Sequence, residues 1–387
     1  MIYYLTYNEP YNGIFNSQVV DVVKHIRNEH NVRIRLISFI PISYDVSLFS
    51  KTKSKIKAIE ETAIIIPTLP IQYGWRFNWV FLAIVLLFMT KGSVFSREII
   101  ASYLALKCKR IGLIRKVCHD GRGANVAQLE EYCVYSKSFK NDITEIEPFV
   151  VNNSDFRLAV SNNLVRYWEE KFGYRSHAHV VIPCTISSDF FVSKEDMNVN
   201  DRIRIRKKYN LNDEDIVLVF SGSSFGWQSF ELIKQFCEIH LNAIKTCKVV
   251  FLSKLDDSVK YLMDKFPGRV YCEWLDLNHV IPFLAICDYG LLLREANYTN
   301  NVASPTKFAE YLAAGLPVLV SDNLEFSRFV HQLNCGMLIN NDKIELLDLK
   351  QTDDILRGDM KKIAREYFLK TSIPNKQLYD KLIKNII

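Results

Sequence analysis

The stretch from Ser304 to Ser321, Ser-Pro-Thr-Lys-Phe-Ala-Glu-Tyr-Leu-Ala-Ala-Gly-Leu-Pro-Val-Leu-Val-Ser, constrains the chain most, because it spells a helix followed at once by a buried strand. Ser304 is placed to cap the first turn, Pro305 suits the first helical position, where a missing N–H costs nothing, and Gly315 supplies the left-handed residue that ends the helix. Pro317 prevents continuation, and Val318-Leu319-Val320 is the unbroken apolar run of a strand covered on both faces in a parallel sheet. On a 3.6-residue period Phe308, Tyr311 and Leu312 share a face that packs, while Lys307, Glu310 and Ala314 share one that is free to bind. The helix start offers unpaired N–H groups and the positive end of its dipole, together worth about 0.3–2 kcal/mol to an anion, and Lys307 adds a full charge. A phosphate suits this end. Glu310, one turn deeper, can accept two ribose hydroxyls, each charge-assisted bond contributing about 1.5–3 kcal/mol. The alternative is an exposed i,i+3 ion pair on a surface helix.

Strand and helix alternate through the rest of the chain. Residues 1–7 read as a first strand, 8–13 as a turn, 14–27 as a helix with Val19, Val22, Val23 and Ile26 on its apolar stripe, and 32–39 as a second strand. This opening is Rossmann-like. No Gly-x-Gly-x-x-Gly follows the first strand, and only Asn12-Gly13 occupies the turn, which argues against a dinucleotide oxidoreductase. Further strands are expected at 93–96, 113–118, 156–160 and 179–183. His119-Asp120-Gly121-Arg122-Gly123 lies at the carboxyl end of one of them, where open α/β sheets bind ligands. A second array begins at 215–221 and continues with strands at 248–253, 269–272 and 288–293. Its first strand runs into Gly222-Ser223-Ser224-Phe225-Gly226, a turn whose backbone N–H groups can cradle phosphate. Lys254, and Arg294 at the end of the 288–293 strand, are further cations for such a group. Trp274 can stack on a base, although a core position is the plainer expectation.

The Ser304–Ser321 stretch closely resembles the signature helix of glycosyltransferase family 4 and related GT-B enzymes, in which Pro-x-Lys-x-x-Glu and a following Ala-x-Gly-x-Pro-Val grip a nucleotide-sugar donor. The resemblance implies an α/β GT-B fold, two Rossmann-like domains facing a central cleft. It implies that Lys307 contacts the diphosphate and Glu310 the ribose, with Ser304, Pro305, Gly222, Ser223, Ser224, Gly226 and Arg294 completing the donor site. Many members carry a second Glu eight residues earlier, facing the transferred sugar; that position is Val302 here. The 119–123 cluster is similar to the family's His-Asp and to an Asp-x-Arg-Gly run of polysaccharide-assembling members. His119, Asp120 and Arg122 are therefore the expected catalytic residues, His119 at the donor sugar and the other two on the acceptor side. Asn12, Gly13 and Glu130 are the expected acceptor contacts. The implied activity is retaining, metal-independent glycosyl transfer to a lipid-linked or surface polysaccharide acceptor, with the nucleotide sugar as substrate and no cofactor. A GT-B nucleotide-sugar epimerase and a degenerate transferase serving as an assembly partner are the alternatives.

The expected domains are residues 1–187, binding acceptor; a linker at 188–212; residues 213–370, binding the nucleotide sugar; and a terminal helix at 371–387 crossing back to the first domain. A length of 387 residues with 49% apolar and 24% charged side chains accommodates two such cores. Nine scattered cysteines without a Cys-x-x-Cys pair argue against a disulfide framework or zinc cage, no Asp-x-Asp metal motif stands where another transferase fold would need it, and no signal peptide is apparent. A cytoplasmic location is expected. Residues 79–89 form the longest apolar run, short of the roughly 20 residues a membrane span needs, and read as a buried core helix, with membrane contact the alternative. Met1–Thr185 holds 23 Lys and Arg against 16 Asp and Glu, so the first half carries the whole net charge of +6. Its clusters at Lys51, Lys53, Lys55 and Lys57, and at Lys107, Lys109, Arg110, Arg115 and Lys116, make peripheral docking at the inner face of a cell membrane an expectation, while no motif supports nucleic-acid binding.

Overall fold

Among the described residues thirteen short strands, most of them buried on both faces, sort into two parallel sheets. In this computed structural model all residues are described except 10, 42–45, 69–73, 133–135, 192–198, 224–225, 276 and 323. The first sheet contains β1 (Ile2–Tyr7), β2 (Ile34–Pro41), β3 (Ile64–Thr68), β4 (Ser93–Arg97), β5 (Val117–Gly121), β6 (Phe156–Ala159) and β7 (His179–Val181), in the order β3-β2-β1-β4-β5-β6-β7. The second contains β8 (Ile216–Ser221), β9 (Cys247–Leu252), β10 (Val270–Glu273), β11 (Tyr289–Leu292), β12 (Val318–Ser321) and β13 (Gly336–Ile339), ordered β10-β9-β8-β11-β12-β13. Each sheet grows outward in one direction and then restarts on the other side of its first strand. The reversals, between β1 and β4 and between β8 and β11, open crevices at the carboxyl ends of the strands, where doubly wound sheets take ligands.

Two compact units result. One comprises Met1–Cys184, Val302–Ser304 and Ile373–Ile387, the other Thr185–Asn301 and Pro305–Ser372. The terminal helix Ile373–Ile386 joins the first unit because Tyr379, Leu382, Ile383 and Ile386 bury against a cluster containing Ile2, Tyr4 and Val22. Residues 185–212 join the second: buried Arg206, on the helix Val199–Lys208, donates to the carbonyls of Ile286 at 2.9 Å and Asn212 at 2.5 Å. The eight described cysteines are free thiols.

The apolar run departs from its expectation. It forms the helix Asn78–Leu87, which buries Leu82, Ala83 and Leu86 but leaves Val80, Phe81, Ile84 and Leu87 exposed, with Phe77 and Phe88 bare beside its ends. One face packs and the other, equally apolar, meets solvent. Among the described residues no helix is long and apolar enough to cross a membrane.

In the second unit the helix Thr306–Ala313 lies between β11 and β12, so its N-terminus points to the carboxyl edge of the sheet. It ends as the glycine foretells: Gly315 sits at φ +87°, its N–H reaches the Leu312 carbonyl and that of Leu316 the Tyr311 carbonyl, both at 2.9 Å, a Schellman closure. Tyr311 lies flat on Gly290 of β11, where a Cβ would stand 2.3 Å from the ring. Gly290→Ala is expected to destabilise the chain by about 1–3 kcal/mol through overpacking, read as a lower urea midpoint, and Tyr311→Ala in the same chain should relieve the clash so that the two losses do not add.

Candidate functional site

Where the second sheet reverses between β8 and β11, side-chain hydrogen bonds tie the strand ends and the following loops together. Tyr311 spans the reversal from below: its hydroxyl accepts the N–H of Ser221, the last residue of β8, at 2.8 Å. Ser321, ending β12, accepts the N–H of Arg294 at 2.8 Å, and Ser229 accepts that of Glu295 at 2.9 Å. The loop after β11 is thus pinned on both sides. Arg294 is buried, its guanidinium donating to Gln228 Oε1 at 3.2 Å, and the Asn341 amide donates to its carbonyl at 2.8 Å.

Lys307 and Glu310 form an ion pair at 2.7 Å, but not as an exposed surface pair: Glu310 is 6% exposed and only Lys307 keeps an open flank. The helix face expected to be free is therefore narrower, since Ala314 is buried as well. Two cap assignments are corrected. Pro305, in an extended conformation, is the N-cap itself rather than the first helical residue, and the Ser304 hydroxyl instead accepts the N–H of Cys184 at 2.9 Å. Gly222, Ser223 and Gly226 follow β8 with Gly226 opening a short 3-10 turn, and Ser224 lies outside the described residues. Trp274 is not a core residue. It follows the edge strand β10, is 66% exposed, and carries the Lys254 ammonium 5.5 Å from its ring centre. Val302 is buried against Val160, Trp168 and Tyr174, and its carbonyl accepts the Ser161 hydroxyl at 2.7 Å, so the position of the missing carboxylate is a packing position here.

In the first unit β5 extends through Gly121, which places His119 and Asp120 inside the strand rather than beyond it. His119 is 1% exposed, its Nδ1 lies 2.8 Å from the Ser102 hydroxyl and its ring packs on Trp168. Burial lowers its pKa to about 3, against the opposing pull of Asp120, so the imidazole is neutral. Asp120 is fully enclosed. It accepts the Tyr4 hydroxyl at 2.7 Å and pairs with Arg122 at 2.7 Å, with Arg97 3.8 Å away and itself bonded to Glu9 at 3.0 Å. Asn12 is exposed and spends its side-chain oxygen on the Phe15 N–H at 3.0 Å, capping the helix that Gly13 opens; Glu130 is exposed on the helix Asn125–Tyr132. Arg97, Glu98 and Glu9 escaped the sequence reading, although Arg97 ends β4 and Glu98 follows it directly. Among the described residues no group of three His, Cys, Asp or Glu is placed to hold a metal.

Two doubly wound parallel sheets, each with its reversal, define the GT-B glycosyltransferase fold. Residues 264–357 match the family described as Glucosyltransferase 3-like, C-terminal domain. No curated protein sequence matches the chain. Among solved structures, Anabaena HepE in complex with UDP is similar at a TM-score of 0.71 and 13% identity over 99% of each chain. WaaG, a glycosyltransferase involved in lipopolysaccharide biosynthesis, is similar at 0.68 and 13% over 100% of this chain and 99% of its own. A glycosyltransferase from Rickettsia africae reaches 0.68 at 14% over 99% and 97%.

The neutral imidazole makes a pH prediction. Because the folded His119 titrates below its unfolded value of 6.5, the unfolded chain binds the extra proton and stability falls as pH drops from 6.5 toward 3, by up to about 1.4 kcal/mol per pH unit from this group. His119→Asn is expected to lose less stability than the parent between pH 7 and pH 5 in urea unfolding.

Proposed function

We propose that the chain is a retaining glycosyltransferase whose second unit binds a nucleotide-diphosphate sugar and whose first unit binds a glycan or lipid-linked acceptor. The observation that carries this reading is the Lys307–Glu310 pair on a helix whose N-terminus meets the carboxyl edge of the sheet and whose Tyr311 is bonded to the end of β8. An arriving diphosphate takes over the Lys307 ammonium with the first helical amides, and Glu310, released from it, accepts the ribose hydroxyls. Arg294 and the Gly222 turn supply the remaining donors. Transfer breaks the bond from the anomeric carbon to the phosphate oxygen, forms one to the acceptor oxygen on the same face, and moves the acceptor proton to the leaving phosphate. Preorganised cations and amides stabilise that leaving charge without rearrangement. HepE, bound to UDP, supports a uridine nucleotide as the first to try.

The reading includes a membrane-facing side. The helix that carries the bare residues Val80, Phe81, Ile84 and Leu87, with bare Phe77 just before it, meets the end of the helix Glu98–Arg110 at its own start, where the Cys108 thiol donates to the Trp79 carbonyl at 3.4 Å. Lys107 and Arg110 stand on the last turn of the helix Glu98–Arg110, over the Tyr103 and Phe149 rings, and Lys91 follows the apolar run in sequence. An apolar face rimmed by cations is the pattern of a helix lying in an anionic bilayer surface. The basic cluster itself contributes less than its count, because Lys109 pairs with Asp155 at 2.5 Å and Lys116 donates to the Asn385 carbonyl at 3.0 Å.

Two measurements test this reading. Lys307→Ala and Glu310→Ala should each weaken UDP binding in calorimetry by about tenfold or more, the loss of one charge-assisted contact, and undiminished affinity would remove the donor assignment. Phe81→Ser with Ile84→Ser should reduce co-sedimentation with phosphatidylglycerol-containing vesicles while leaving UDP affinity intact, and vesicle binding equal to the parent would discard the membrane side.

A further inference from the structure

The first unit contains a second crevice that the scheme above leaves unused. Where its sheet order reverses, between β1 and β4, lies a cavity of about 200 Å³ bounded by Asn8, Glu98, Asn125 and Gln128 over a wall that includes Leu129 and Ile143. Two non-glycine residues flank it in the left-handed region, Asn8 at φ +54° directly after β1 and Glu98 at φ +65° directly after β4. Asparagine tolerates that conformation; glutamate adopts it only when its surroundings hold it there, and such residues cluster at functional sites. The surroundings are identifiable. Glu147, buried, accepts the N–H groups of Asn125 at 3.0 Å and Val126 at 2.6 Å, which fixes the start of the helix, and the Asn125 amide then donates to Glu98 Oε2 at 3.3 Å. A carboxylate-bearing residue of the cavity wall is thus held in place at the expense of local strain.

We propose that this cavity seats one neutral pyranose ring of the acceptor, with Glu98 accepting hydrogen bonds from its hydroxyls, Asn125 and Gln128 completing the polar rim, and the ring's C–H face against Leu129 and Ile143. The assignment to the acceptor rests on the sugar-transfer reading; the sugar class rests on the cavity. Its volume lies below the roughly 300–1,000 Å³ of pockets for drug-sized ligands, so it fits a single ring rather than an oligosaccharide. A phosphate is disfavoured, because the rim presents a carboxylate and amides, while Arg97 is engaged by Glu9. Burial, opposed by Arg97 and aided by Glu9 and Asp120, raises the Glu98 pKa to about 7, so near neutral pH the group can accept a hydroxyl proton or donate one.

Saturation-transfer NMR on the full chain with methyl glucopyranoside, methyl N-acetylglucosaminide and methyl rhamnopyranoside tests this. At least one probe should show saturation on the parent, losing at least half of it in Glu98→Gln and all of it in Glu98→Gly. Glycine also relieves the left-handed strain, so Glu98→Gly should melt at or above the parent temperature, a gain that a merely structural carboxylate would not give. Absence of saturation for every probe on the parent, parent-like saturation in Glu98→Gly, or a lower melting temperature for that variant would each overturn the proposal. Calorimetry with UDP on the same samples separates the two readings. Glu98-dependent glycoside binding without UDP binding leaves the cavity standing and removes the donor site, and UDP binding without glycoside binding does the reverse.

Discussion

One hydrogen bond organises the second unit: the Tyr311 hydroxyl accepting the Ser221 N–H. It requires Gly290, because only a strand residue without Cβ lets the ring lie close enough to the sheet to reach the end of the neighbouring strand. Through it the signature helix is keyed to the first strand of its sheet, and Lys307, one turn before Tyr311, is delivered to the carboxyl edge. The bond also satisfies a buried amide that would otherwise cost about 1–3 kcal/mol. The packing of this helix and the placement of Lys307 are therefore set by the same side chain.

Much of this was legible in the sequence for a local reason. The helix from Thr306 to Ala313 carries its own stop signal, and Gly315 adopts the left-handed conformation that its position called for. Most strands of both sheets follow from short apolar or alternating runs, although β3 and β13 were not expected. What stayed hidden depends on partners distant in sequence. Ser304 reads as a cap until Cys184, 120 residues away, claims its hydroxyl. Trp274 reads as core until the sheet order puts β10 at an edge. Val302 reads as a missing carboxylate, and only the fold shows what it packs against.

The apolar helix shows another limit of periodicity. A run of Trp, Val, Phe, Leu, Ala and Ile has no polar face from which an inward side can be told, so length alone argued for a buried helix. The structure divides it by geometry: the side against the helix Glu98–Arg110 is covered, and the opposite side is left bare. It is this contiguous bare face on which the proposed membrane side rests.

The two crevices solve opposite electrostatic problems. In the second unit the cation at the edge keeps an open flank, and its partner Glu310 is close enough to hold it in place when no anion is present. In the first unit charge is spent internally: Asp120 lies between Arg122 and Arg97, Arg97 is engaged by Glu9, and Tyr4 closes the set. Such a network rigidifies the carboxyl ends of β1, β4 and β5 and leaves little net charge for a ligand. On the proposed reading a diphosphate displaces the Glu310 carboxylate from Lys307, whereas an uncharged polyhydroxyl compound suits the charge-balanced set in the first unit. The division of labour between donor and acceptor that we propose matches how each sheet disposes of its buried charge.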